Sequence, residues 1–207
     1  LIVGCGAGWM REEFDVLGSP PFEKRGAVCN EYIRAFRELW TQDNPTFEGK
    51  YCRFANVEFA PKPVQKPCPP IWTGGESPAA LRRTGRLADG WFPFTQDVHV
   101  PLGTPEQFAG VATQVKQHAK DAGRNPDSVE FAYSASWYNE DEAEHLPDGS
   151  RRTFTGTPVQ IADDIKRFAE MGVRHMMLPI VVRRPGVTVK DTLERMERFT
   201  AKVMPLV

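Results

Sequence analysis

A chain of 207 residues, 41% hydrophobic and 26% charged, with a formal net charge of −1, is long enough to bury one substantial core and not two. That near-neutral balance speaks against a general affinity for nucleic acid or for an anionic membrane surface. No apolar run approaches the length of a membrane span, and a cytoplasmic location is the default expectation.

In chain order, the sequence opens on an apolar run, Leu1-Ile2-Val3-Gly4-Cys5-Gly6, that reads as a strand entered without a lead-in, so a preceding N-terminal portion is expected. Residues 22 to 40 place Val28, Tyr32, Ile33, Phe36, Leu39 and Trp40 on one helical stripe. Residues 45 to 66 break that rhythm with prolines and aromatics around Gly49, the pattern of a short hairpin or excursion. A compact strand, Ile71-Trp72-Thr73, then stops at Gly74-Gly75. Ser77-Pro78 supplies an N-cap and a first-turn proline for the next helix, whose buried face can draw on Leu81 and Leu87.

Gly90 to Phe94 reads as a further strand. Thr104-Pro105-Glu106-Gln107 forms a capping box before a helix buried through Phe108, Val111, Val115 and Ala119. Val129 to Trp137 has strand composition. Thr157-Pro158-Val159-Gln160 repeats the capping box ahead of Ile161, Ile165 and Phe168, and Gly172 sits where a helix ends. His175 to Val182 is apolar enough for a strand covered on both faces. Val189, Leu193, Met196, Phe199 and Val203 mark a last helix ending near Pro205. Alternating strands and helices predict a parallel sheet with helices outside it. The choice is then between a doubly wound sheet and part of a β/α barrel, and five units in this length favour the barrel, which takes about 250 residues when complete. Residues 1 to 207 are therefore expected to form a single partial barrel domain lacking roughly its first three βα units. Expressed alone, such a piece is expected to be poorly soluble or to form a homodimer through its unpaired strand edges.

Cys5, Cys29, Cys52 and Cys68 form no C-x-x-C pair and read as free thiols of a reducing compartment. His99, His118, His145 and His175 lack metal-ligand spacing, so no metal site is expected.

Two glycine sites compete for the chemistry. Gly4-Cys5-Gly6-Ala7-Gly8 follows a strand and superficially matches the G-x-G-x-G loop of S-adenosylmethionine-dependent methyltransferases. It is also near a dinucleotide fingerprint, although Trp9 stands where the third glycine belongs. Neither reading finds the second short βα unit and acidic residue it needs; the simpler reading is close approach of a planar ligand, or tight packing. Thr73-Gly74-Gly75-Glu76-Ser77-Pro78 has better context, between a strand and a capped helix. There, bare backbone N–H groups and the helix N-terminus suit an anion, while a tight turn with a capping serine is the plainer alternative. Arg82 and Arg83 read as phosphate ligands or, more plainly, as a solvated helix face. Trp9, Trp72 and Trp91 could stack on a ring or pack locally.

The stretches Gly8-Trp9-Met10-Arg11-Glu12-Glu13-Phe14, Pro21 to Gly26, Pro61 to Pro67, Pro70 to Gly75, Ser77 to Arg83, Ala88-Asp89-Gly90-Trp91 and Gly156-Thr157-Pro158 together resemble the bacterial luciferase-like monooxygenase family, and most of all its coenzyme F-420 branch. The resemblance implies a β/α barrel in which Leu1 to Gly6 is the family's fourth strand and residues 71 to 74 its fifth. It implies a reduced FMN or F-420 cofactor, used for hydride transfer or monooxygenation of a small organic substrate. Thr73, Gly74 and Gly75, with Glu76 and Ser77, match the family's phosphate loop; Gly6, Gly8 and Glu12 match the strand end that borders the ring. Phe94 to Gln96 and Ile180 to Arg183 would line the substrate side. The family's catalytic histidine or acid falls in the part that is not here, so no residue is assigned a catalytic role. A non-catalytic flavin-binding protein or an inactive truncated barrel is the rival reading, ahead of the methyltransferase.

Overall fold

The computed structural model describes residues 1–94, 101–180 and 186–207. Two compact units make up the chain: residues 1–92 with 114–129, and residues 93–113 with 130–207.

In the first unit, β1 (Val3–Cys5) leads into α1 (Arg11–Val16) and α2 (Arg25–Thr41). A two-stranded hairpin follows, β2 (Phe47–Glu48) with β3 (Arg53–Phe54) antiparallel, its Phe47 and Phe54 rings stacked at 5.8 Å. The hairpin falls within residues 45 to 66. Then come β4 (Ile71–Thr73), α3 (Pro78–Leu87) and β5 (Gly90–Trp91). The strands pair in parallel in the order β1-β4-β5, with Val3 opposite Ile71, and Trp72 opposite Gly90. The core of this unit packs Cys29, Ile33 and Ile71 against Cys5, Trp40 and Leu87.

The α2 stripe differs from expectation. Val28 and Ile33 are buried, whereas Tyr32, Phe36, Leu39 and Trp40 are only half-buried. Glu31, 7% exposed, shares the buried face because the hairpin turn folds over it. Its carboxylate accepts backbone N–H bonds from Lys50, Tyr51 and Cys52 at 3.0, 2.6 and 2.6 Å. Burial opposes its charge, but those three bonds outweigh that and hold the carboxyl below its ordinary range.

The Thr104 capping box forms as read, with Gln107 N–H on Thr104 Oγ1 and Thr104 N–H on Gln107 Oε1. It starts α4 (Pro105–Asp121), which runs through both units. The second unit adds β6 (Glu130–Ser134), α5 (Pro158–Glu170), β7 (Val173–Met177) and α6 (Val189–Lys202). Here β6 and β7 are parallel, and α5 carries the expected Thr157–Gln160 capping box. Its core is aromatic: Phe108 meets Phe131, Tyr133 and Phe168 at centroid distances of 6.0, 5.8 and 5.9 Å. Between β6 and α5, Phe154 adopts a left-handed φ of 60° while fully buried. Asp164 of α5 holds it there, accepting the Phe154 N–H at 2.7 Å and a bidentate Arg151 guanidinium at 2.9 and 2.7 Å.

One expectation is corrected in this unit. The last strand is not covered on both faces: Val173 is buried, but Arg174, His175 and Met177 are exposed, and β7 has only β6 as a strand neighbour among the described residues. The last helix forms, but α6 buries none of its residues; Leu193 and Met196 are 53% and 46% exposed, and Val203, just past its end, is the buried anchor.

Candidate functional site

Cys5 and Thr73 are register partners at the ends of the parallel strands β1 and β4. Parallel neighbours lie about 4.8 Å apart, so the Gly6-Ala7-Gly8 and Gly74-Gly75-Glu76-Ser77 segments leave the same sheet edge side by side. In a β/α fold, this C-terminal strand edge is where ligands bind.

The β4 loop is held tightly. A Cβ on Gly74 would lie 2.9 Å from the Phe92 carbonyl oxygen, and Gly75 has φ +92°, with Ala80 Cβ 3.0 Å from where its own Cβ would stand. Only glycine fits both demands at Gly75. The fully buried Trp91 donates its Nε1 proton to the Gly75 carbonyl at 3.1 Å. Since the C=O and N–H of a trans peptide point in opposite directions, the Glu76 N–H is directed away from Trp91. Ser77 then caps α3, its Oγ accepting from Ala80 N–H at 3.3 Å, with Pro78 following and no acidic residue in the first turn. The Glu76 side chain is buried. The Thr73 hydroxyl faces inward, 2.8 Å from Thr84 Oγ1, and so fastens α3 to β4.

The β1 loop is more open. A Cβ on Gly6 would meet nothing within 4 Å, whereas Gly8 has φ +83° and the Phe14 ring 2.6 Å from where its Cβ would stand. Thus packing explains Gly8, but nothing in the described protein requires glycine at position 6. Glu12 stands on α1 and is exposed. Trp9 is 79% exposed, while Trp72 and Trp91 are buried. Trp72 packs on Phe92 with ring centroids 6.4 Å apart, so local packing accounts for it.

Asp89, which neither glycine motif singled out, anchors the opposite end of β4. Its Oδ2 accepts the Ile71 N–H at 2.9 Å and Arg37 Nη2 at 2.7 Å, and Arg124 lies 3.8 Å from Oδ1. The Ala88-Asp89-Gly90-Trp91 string was the signal that could have found it. Burial, with Cys29 adding and Arg37 opposing, pushes the Cys5 thiol upward; a thiolate nucleophile at this strand end is disfavoured. Among the described residues no group of three or more His, Cys, Asp or Glu side chains could hold a metal.

On the expected substrate side, Phe94 is 60% exposed. Ile180 borders an apolar cavity of about 580 Å³ with Met176, Met177, Leu178 and Phe199. Thr95, Gln96, Val181, Val182 and Arg183 lie outside the described residues. Of the arginine pair on α3, Arg82 is exposed but Arg83 is buried, against the expectation of a solvated face. It is drawn in by hydrogen bonds to Asn30 and to the Gly26 carbonyl on α2.

The profile of the luciferase-like monooxygenases matches residues 1–154. Two FMNH(2)-dependent dimethylsulfone monooxygenases are similar in sequence, that of Pseudomonas putida with 33% identity over 65% of this chain and that of Pseudomonas fluorescens with 28% identity over all of it. The chain spans 35% and 65% of the length of these two relatives. Among solved structures, the monooxygenase RslO1 from Streptomyces bottropensis superposes with a TM-score of 0.71 at 20% identity, over 99% of this chain and 68% of that one. A coenzyme F-420-dependent secondary alcohol dehydrogenase, bound to an F-420–acetone adduct, gives 0.65 at 20% identity, over 86% and 63%. These likenesses establish the β/α-barrel fold.

Proposed function

Because the chain belongs to the luciferase-like monooxygenase family, we propose that it is part of one β/α-barrel oxidoreductase domain in which the ends of β1 and β4 cradle a reduced flavin or deazaflavin. The observation that carries this reading is the Cys5–Thr73 register, which sets an open glycine beside a capped helix start. The residues fit such a group. The open space at Gly6 leaves room for a planar ring to approach the backbone. The loop from Gly75 to Ser77 offers backbone N–H donors at the positive end of α3, as a phosphate requires.

In this reading the Glu76 backbone N–H, not its carboxylate, faces the phosphate, since a buried carboxylate aimed there would repel it. Gly75 and Ser77 complete the anchor. Thr73 serves by holding α3 in place, and Gly8 by turning the chain past the ring. Glu12, exposed on the first turn of α1, contacts the ring only at its rim. The cofactor supplies the redox chemistry, hydride transfer or, with FMN, oxygen activation, toward a small organic substrate. The chain orients it, anchors its phosphate and excludes water.

The sequence relatives bearing the FMNH(2) name favour reduced FMN; the F-420 enzyme of like fold keeps the deazaflavin as the second reading. The phosphate cradle serves both. Four free cysteines accord with a reducing, cytoplasmic setting. The test is titration of the full-length protein with FMN and with F-420. Saturable binding of one supports the reading, and binding of neither removes it.

A further inference from the structure

On the helical side of the first unit, a cavity of about 520 Å³ opens between α2 and α3. Residues Ala79, Arg82, Arg83 and Arg86 lie along one stripe of α3, at spacings of three and four, and Asn30 and Arg34 face them from α2. The lining therefore holds four guanidiniums, and no acidic side chain contributes to it. Arg34, Arg82 and Arg86 make no ion pair with any described residue. Elsewhere in this unit Arg11, Arg37, Arg53 and Arg124 each have a carboxylate partner.

Arg34, Arg82 and Arg86 are solvent-exposed, and only Arg83 is buried. Arg82 and Arg86 are like charges at i,i+4, which repel on a helix face. Arg83 is pinned by its Nε bond to Asn30 Oδ1 at 2.7 Å and its Nη2 bond to the Gly26 carbonyl at 3.1 Å, and its Nη1 donates to no described residue. Gly26 and Ala27, in the first turn of α2, also line the cavity. The volume lies in the range of small-ligand sites, about 300–1,000 Å³. Planar guanidinium forks suit phosphate oxygens.

We propose that this cavity is a second anion site, separate from the flavin cradle, that binds a small molecule carrying two or more linked phosphates. Four guanidiniums exceed what a single phosphate would neutralise. A di- or triphosphate matches that charge within one small-molecule volume. The site needs no assumption about the flavin.

Inorganic triphosphate is the probe, titrated calorimetrically into the full-length protein against sulfate at matched ionic strength. Triphosphate is expected to bind more tightly than sulfate. The Arg34→Gln/Arg82→Gln/Arg86→Gln variant should lose at least about tenfold in triphosphate affinity, or about 1.4 kcal/mol, with its FMN affinity unchanged. Arg83 is left intact because it ties α3 to α2. Should the triple variant melt early, Arg34→Gln alone is expected to weaken binding severalfold and to flatten its salt dependence. Triphosphate binding no tighter than sulfate, or unaffected in the variants, would overturn the proposal. Wild type that binds triphosphate but not FMN would instead count against the flavin cradle alone.

Discussion

The Trp91 indole and the Gly75 carbonyl, on β5 and in the loop after β4, are joined by a 3.1 Å hydrogen bond inside the sheet edge. That bond fixes the direction of the following peptide, and through it the donor assigned to the cofactor phosphate. Trp91→Phe keeps an aromatic ring but removes the donor, leaving a buried carbonyl unsatisfied at a cost of about 1–3 kcal/mol. We expect a lower melting temperature and about a tenfold weaker FMN affinity, with riboflavin affinity changed far less. Equal losses for FMN and riboflavin would show that Trp91 serves packing alone.

Gly6 separates ligand approach from folding. Its Cβ position is empty to 4 Å and its φ lies outside the left-handed region, so Gly6→Ala should leave stability unchanged or raise it by up to about 1 kcal/mol. Gly6→Leu would fill the space and should weaken FMN and riboflavin alike by at least about tenfold. Retained flavin affinity in Gly6→Leu would exclude this edge as the ring's resting place.

Glu31 sets an acid dependence. Its folded pKa lies below the unfolded value of about 4.3, so its contribution is present above that pH and is lost as pH falls through the folded value. Melting curves from neutral pH downward should show wild type above Glu31→Gln at neutrality, the gap closing below about pH 4.3. A gap independent of pH would mean that the hairpin turn does not depend on the carboxylate's charge.

In the second unit, Asp164→Asn should break the bidentate Arg151 pair and weaken the hold on left-handed Phe154. Removing one partner of a buried pair costs about 3–5 kcal/mol. Urea unfolding should register a loss of unfolding free energy of that size; a change below about 1 kcal/mol would show that Phe154 holds its conformation without Asp164.

The local signals in the sequence were strong where they were chemical. Ser77-Pro78 and the capping boxes at Thr104 and Thr157 marked helix starts that the structure keeps, because each motif satisfies orphan N–H groups within its own few residues. Adjacent placement of the two glycine sites was not readable from their spacing. Residues 1–8 and 71–77 meet through the β1–β4 pairing, across two helices and a hairpin. Glu31 and Asp89 were missed for the same reason: their partners, the Lys50–Cys52 backbone and the Ile71–Arg37 pair, lie far along the chain. The apolar periodicity of α6 marked its helix but not its exposure, since periodicity reports an amphipathic face and not what covers it.

The central claim is that the Gly75–Ser77 loop holds a cofactor phosphate. It is tested most directly by titrating FMN and riboflavin, which differ only in that phosphate, into full-length wild type and Gly75→Ala. Wild type should bind FMN at least about tenfold more tightly, a margin of about 1.4 kcal/mol, and the margin should collapse in Gly75→Ala, whose φ of +92° disfavours a side chain. Equal affinity of wild type for FMN and riboflavin would contradict the account.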